Sequence, residues 1–329
     1  MNKTLFTQWH EEGLLTETSL QKVKEAEDNK LFSVHWEIKT LLYLAVLLLS
    51  GGLGILVYKN IDSIGHTAIL LFLALVCAGS FFYCFKHHPG FSVNKTSSPN
   101  ALFDYLLLLA CLTFITFIAY LQYQYSFFGN RYGLASFIPM VVLFLSAYYF
   151  DNIAILSLGI TNLAAWLGIT VTPLEILKTN DFNNTTIILT GVALGALLIA
   201  IALLTKYKKF KRHFEFTYTN FGMHILFISC VAAMFHFDEL YLLWFLLLTG
   251  IAYYFYRKAL SDRSFYILLI TTLYAYVGLC YVVINLLIPM MGYDLGPIYM
   301  GLMYFIASGI GLVFFLIKTN KKIKANDSV

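Results

Sequence analysis

An all-α, polytopic membrane bundle of about ten spans is the fold class this sequence predicts, and three observations carry the prediction. Of its 329 residues, 59% are hydrophobic and 12% are charged. A soluble domain carries about 25% charged residues, so too few ionic groups are present to coat a water-facing surface. Apolar stretches recur from Lys39 to Lys318, each near the ~20 residues that a helix needs to cross a hydrocarbon core of about 30 Å. The basic residues between the stretches are segregated: of 22 Lys and Arg, only Lys59, Arg131 and Lys178 fall on one side.

Taken in order, residues 1–38 are polar and carry seven acidic groups, which does not fit a cleavable signal peptide. Leu5 to Glu12 reads as a short helix ended by Gly13, and Thr16 or Thr18 caps a second that runs to about Asp28. Leu20, Val23 and Ala26 share one face of it, against which Trp9, Leu14 and Leu15 could pack. A hairpin this small does not stand alone. It docks either on its own bundle or on a protein partner. Spans are then expected near 40–58, 64–85, 101–122, 133–150, 152–170, 185–205, 217–236, 238–256, 264–288 and 295–317, so that 39–318 forms the bundle and 319–329 a basic tail. Only Asp151 and Asn152 separate the fourth and fifth spans, which predicts a tight helical hairpin there. A re-entrant segment at this point would lower the count and break the alternation of charge.

Translocating cations is unfavourable, so cytoplasmic loops hold the Lys and Arg excess. The other nineteen basic residues therefore place both ends of the chain in the cytoplasm and predict an even number of spans in the inner (plasma) membrane. The outer side is mildly acidic, with Asp62, Glu175, Asp181, Asp238, Glu239 and Asp294. Aromatic residues at span ends, such as Tyr120 to Phe128, read as anchors in the headgroup zone, with an aromatic substrate site as the alternative. Cys77, Cys84, Cys111, Cys230 and Cys280 all lie inside apolar stretches and read as small packing residues.

The N-terminal region also carries a resemblance. Leu5, Trp9, Gly13, Leu14, Leu15 and Thr16 precede a polar helix. A first span then contains Ser50-Gly51-Gly52-Leu53-Gly54-Ile55-Leu56, and Lys59-Asn60-Ile61-Asp62-Ser63-Ile64 follows. Together these residues resemble the bacterial membrane proteins grouped as domain of unknown function 2157, with Ile61 standing where that pattern has Trp. The resemblance implies membrane location and architecture and brings no catalytic residue with it.

Candidate chemistry is sparse. Gly51, Gly52 and Gly54 are not a phosphate loop, since no strand precedes them and no Lys-Ser/Thr follows; small residues let helices approach closely. Gly191 and Gly195 form a GxxxG, read as a helix interface within the bundle or between copies. Thr161 and Asn162 fall near the middle of the fifth span, with Ser157 on the same face. A mid-membrane Asn must find a hydrogen-bond partner, so the three either clamp helices together or line a polar cavity. Asp104 and His224 are intramembrane ionisable groups at similar depth and would form a proton relay if they met. The run Lys206, Lys208, Lys209, Lys211, Arg212 is either a topology determinant or a seat for anionic lipid headgroups. His87 with His88, and His66 with His236, give weak metal-ligand patterns.

No Asp, Glu, Lys or Arg occupies the middle third of any span, where ion-coupled transporters keep such groups. No cofactor, metal or nucleic acid is expected. The leading expectation is a non-enzymatic scaffold or accessory subunit that recruits a partner through residues 1–38, with homo-oligomerisation left open. The alternative is a permease for a neutral or weakly polar solute.

Overall fold

The computed structural model describes residues 10, 12, 16–19, 21, 22, 35–59, 65–88, 90–171, 184–287 and 296–325. Most of the expected N-terminal hairpin, the 60–64 turn, Lys178 and the loop around Asp294 lie outside the described residues. Among these residues ten long helices run in order: α1 His35–Lys59, α2 His66–His87, α3 Ala101–Tyr125, α4 Tyr132–Phe150, α5 Ile153–Val171, α6 Thr185–Lys208, α7 Glu215–His236, α8 Tyr241–Ser261, α9 Phe265–Leu287 and α10 Gly296–Ala325. Among the described residues nine stretches are long and apolar enough to cross a membrane, and α5 holds a shorter apolar run, Ile153–Gly168. The chain is thus an all-α polytopic bundle.

The helices divide into two compact units, Met1–Tyr58 and Lys59–Val329. In the first, Glu17–Ser19 is helical and begins at Thr16, whose carbonyl accepts from the Ser19 N–H at 3.0 Å. Within this unit a Cβ added to Gly51, Gly52 or Gly54 would meet nothing within 4 Å, so these glycines face open space on α1.

In the second unit consecutive helices pair as hairpins, α2 with α3, α4 with α5, α6 with α7 and α8 with α9, and α10 lies on α9. At the α4–α5 and α8–α9 hairpins the short connections force this. Asp151 ends α4 in the left-handed region (φ 59°) with its N–H on the Ala147 carbonyl, and Asn152 starts α5 by accepting from the N–H groups of Ala154 (2.9 Å) and Ile155 (3.2 Å). Side chains that bond nearby backbone and tolerate left-handed φ suit such a turn. Asn100 and Asn184 cap α3 and α6 in the same way.

The α6–α7 pair is the closest. A Cβ on Gly195 would lie 2.6 Å from Leu226 Cγ and 2.9 Å from the Leu226 backbone nitrogen, and one on Gly222 would lie 2.8 Å from Ile199 Cδ1. A core of Met223, Phe227, Cys230, Met234, Leu248, Phe255 and Leu268 joins α7 to α8 and α9. The last helix runs past Lys318 to Ala325, with Thr319 and Ile323 buried. The beginning of the expected basic tail is therefore continuous with α10.

Candidate functional site

Two polar regions stand out, one at each end of the second unit. The first gathers the 90–100 segment, the α4–α5 turn and the α6–α7 connection. Asp151 is its centre. Its Oδ1 lies 2.9 Å from Lys211 Nζ and 2.6 Å from His213 Nε2, and its Oδ2 accepts from the Thr96 N–H. A carboxylate only accepts, so His213 holds its proton on Nε2. The Asp151 and Lys211 side chains are 1% and 0% exposed. The Lys211 N–H donates to the Val93 carbonyl at 3.1 Å, and its Nζ sits 5.2 Å from the centroid of the Phe91 ring. Residues 93–96 are in this way stitched between two helical turns.

Beside it, Asp104 accepts on Oδ1 from Ser98 Oγ at 2.6 Å and from Asn152 Nδ2 at 3.0 Å. His88 packs on Phe103, Tyr149 and Phe150, and its Nδ1 accepts from the Gly90 N–H at 3.1 Å. Its buried Nε2 has no hydrogen-bond partner among the described residues. Burial, and then the nearby Lys211 charge, hold the His88 pKa below the usual histidine value, with Asp151 opposing them. A neutral imidazole is the form that this aromatic setting favours.

Next to the Asp151 cluster opens a cavity of about 500 Å³ whose walls include Lys95, Lys206, Lys209, Arg212, His213 and Lys258. Two of the cations are paired. Lys258 Nζ lies 3.0 Å from Glu215 and 2.8 Å from Asp262, and Lys206 lies 3.4 Å from Glu215 and 3.9 Å from Asp262.

The second region lies between α3, α4 and α5 at the opposite end. A cavity of about 590 Å³ is lined by Gln122, Tyr123, Tyr132, Ser136, Thr161 and Asn162, with apolar side chains between them. Gln122 is held by the α3–α4 turn, donating to the Gly129 carbonyl and accepting from the Phe128 N–H, both at 2.9 Å. Asn162 Oδ1 is buried and has no hydrogen-bond partner among the described residues.

Several residues singled out from the sequence stand differently in the fold. Ser157 and Thr161 donate to carbonyls one turn back on their own helix, at 3.0 and 2.9 Å, so these hydroxyls tie to α5 itself. His224 bonds to Tyr274 at 3.0 Å and Tyr266 at 3.1 Å, and Asp104 to Ser98 and Asn152. The bonds of His224 thus run to α9, and those of Asp104 to the 90–100 segment and the α4–α5 turn. Lys211 departs from the exposed run Lys206, Lys208, Lys209 and Arg212 by turning inward to Asp151.

Gly191 and Gly195 sit in the α6–α7 interface. His87 Nδ1 meets the Tyr83 carbonyl, His66 Nδ1 the Tyr120 hydroxyl and His236 Nε2 the Thr185 hydroxyl. Among the described residues no three His, Cys, Asp or Glu side chains group as a metal site would need. Asp151, Asn152, His213 and Thr96 were not singled out from the sequence. The only signal at Asp151 and Asn152 was their position in a very short connection.

A helical membrane protein is thus the class that fold and sites define. Residues 7–156 match the model of a family described as predicted membrane protein, domain of unknown function 2157. The match reaches well beyond the residues that suggested the resemblance and ends inside α5, before Lys211 and His213. No curated protein and no solved structure matches the chain.

Proposed function

We propose that the protein binds, and lets through the membrane, a small neutral or weakly polar molecule, with the α3–α4–α5 cavity as its seat. The observation that carries this reading is Asn162 Oδ1. It is a buried amide oxygen without a partner among the described residues, in the wall of a cavity of about 590 Å³. Such a volume falls in the range of small-molecule sites, which are mostly apolar with a few placed polar groups. An unpartnered amide in an apolar setting costs about 1–3 kcal/mol, which a ligand donor would remove. The missing charge in the middle of the spans agrees with an uncharged cargo. The Lys and Arg asymmetry supports a bacterial inner-membrane setting with both ends cytoplasmic, and the cavity then opens toward the outer face.

The test is solute flux in proteoliposomes, screened across polyols, sugars and small aromatic alcohols. Asn162→Leu is expected to abolish the flux of a transported solute while leaving yield and elution on a sizing column unchanged. A variant that aggregates instead points to Asn162 as a structural clamp. If no solute crosses faster with wild-type protein than with empty vesicles, the permease reading fails.

The scaffold reading keeps one supporting observation of its own. Within unit 1, α1 leaves the Gly51, Gly52 and Gly54 face uncovered, and such a face admits close approach of another helix.

A further inference from the structure

We infer that the cavity beside Asp151 is a phosphate-binding site, separate from the neutral-solute cavity. Its walls bring together Lys95 from the 90–100 segment, Lys209 and Arg212 from the α6–α7 connection, and Lys206 and Lys258 from the last turns of α6 and α8. Lys206 and Lys258 share the carboxylates of Glu215 and Asp262, so these four charges offset one another. Lys95, Lys209 and Arg212 meet no carboxylate among the described residues, and all three are exposed. Three positive charges therefore converge on a cavity of about 500 Å³, whose lining also holds Glu215 and Asp262, without a carboxylate partner of their own among the described residues.

The arrangement is built rather than incidental. Asp151 pins the segment that carries Lys95 through the Thr96 N–H, and pins the connection that carries Lys209 and Arg212 through Lys211 and His213. One carboxylate thus fixes both halves of the cationic wall. Arg presents a planar fork that suits a phosphate bidentately, and Lys adds point charge. Phe216, Thr219 and Ile267 close the apolar side. The ligand is a phosphate group, borne either by an anionic lipid headgroup or by a water-soluble phosphate.

The experiment uses full-length protein in mild detergent and in nanodiscs. Native mass spectrometry with phosphatidylglycerol, against phosphatidylcholine as reference, reads the lipid arm. The thermal midpoint with added inorganic pyrophosphate reads the soluble arm. Retention of about one phosphatidylglycerol per chain, without a pyrophosphate shift, assigns the site to a lipid. A saturable pyrophosphate shift assigns it to a soluble phosphate. In either case Lys95→Gln with Arg212→Gln is expected to weaken binding about tenfold or more, while Lys208→Gln, outside the cavity, leaves it unchanged. Failure of both probes to bind the wild type overturns the inference. So does equal weakening by Lys208→Gln, or undiminished binding by the folded double variant. None of these results depends on solute flux through the other cavity.

Discussion

At the scale of single residues, Lys211 and Asp151 form an ion pair that water does not reach. Removing Lys211 leaves the buried Asp151 carboxylate with only His213 and the Thr96 N–H, and breaking a buried pair on one side costs about 3–5 kcal/mol. Lys211→Met is therefore expected to lower unfolding stability in mild detergent by roughly that amount, whereas Lys208→Met, at an exposed position, stays within about 0.5 kcal/mol. Equal losses at the two positions would refute the pairing. Met keeps the left-handed backbone at position 211 (φ 48°) no more strained than Lys does, so the comparison isolates the charge. The pair was hidden in the sequence for two reasons. Lys211 sits in a basic run whose other members face solvent, and its partner is sixty residues away, a separation over which helical periodicity carries no information. Asp151 and Asn152 read as turn residues, and they do make the turn. Their second role, reaching across to Lys211 and Asp104, depends on loops whose course no local pattern encodes.

At the scale of elements, the helices were legible because hydrocarbon thickness sets their length, and the apolar runs deliver that length nearly in register with the observed helices. Which glycines support close helix contact was legible only in part. Gly191 and Gly195 stand against Ser229, Leu226 and Gly222, whereas Gly250 on α8 has nothing within 4 Å of an added Cβ. Gly195→Ala is expected to push α6 from α7 and to destabilise by about 1–3 kcal/mol. Gly250→Ala should be neutral or stabilising by up to about 1 kcal/mol, since Ala is the better helix former. Thermal unfolding of the two variants side by side checks the contrast, and a loss at Gly250 as large as that at Gly195 would contradict the assigned interface. The polar stripe on α5 shows the opposite lesson. Spacing put Ser157 and Thr161 on one face correctly, but a hydroxyl in a helix has its own carbonyls within reach, and both take that option.

At the scale of the whole molecule, the charge asymmetry predicts sidedness that labelling can test. Three helices, α4, α5 and α6, separate Arg131 from Lys208. Cysteines placed at Arg131 and at Lys208 should therefore react with a membrane-impermeant maleimide from opposite faces of intact cells or oriented vesicles. A cysteine at Lys95 should match Lys208. The native cysteines are buried or half-buried and add little background. Reaction of 131 and 208 from the same face would mean that α5 does not cross, and would turn the charge argument against an even count of spans.

The stitching of residues 93–96 to both Asp151 and Lys211 also sets an order of events in time. A chain that emerges from the ribosome at about 5–20 residues per second delivers Asp151 several seconds before Lys211 and His213. During that interval α5 and α6 are made, and the Asp151 carboxylate is still without its Lys211 and His213 partners. The arrival of the α6–α7 connection brings both of these partners at once. The early hairpins are thus latched to the later ones from a single residue.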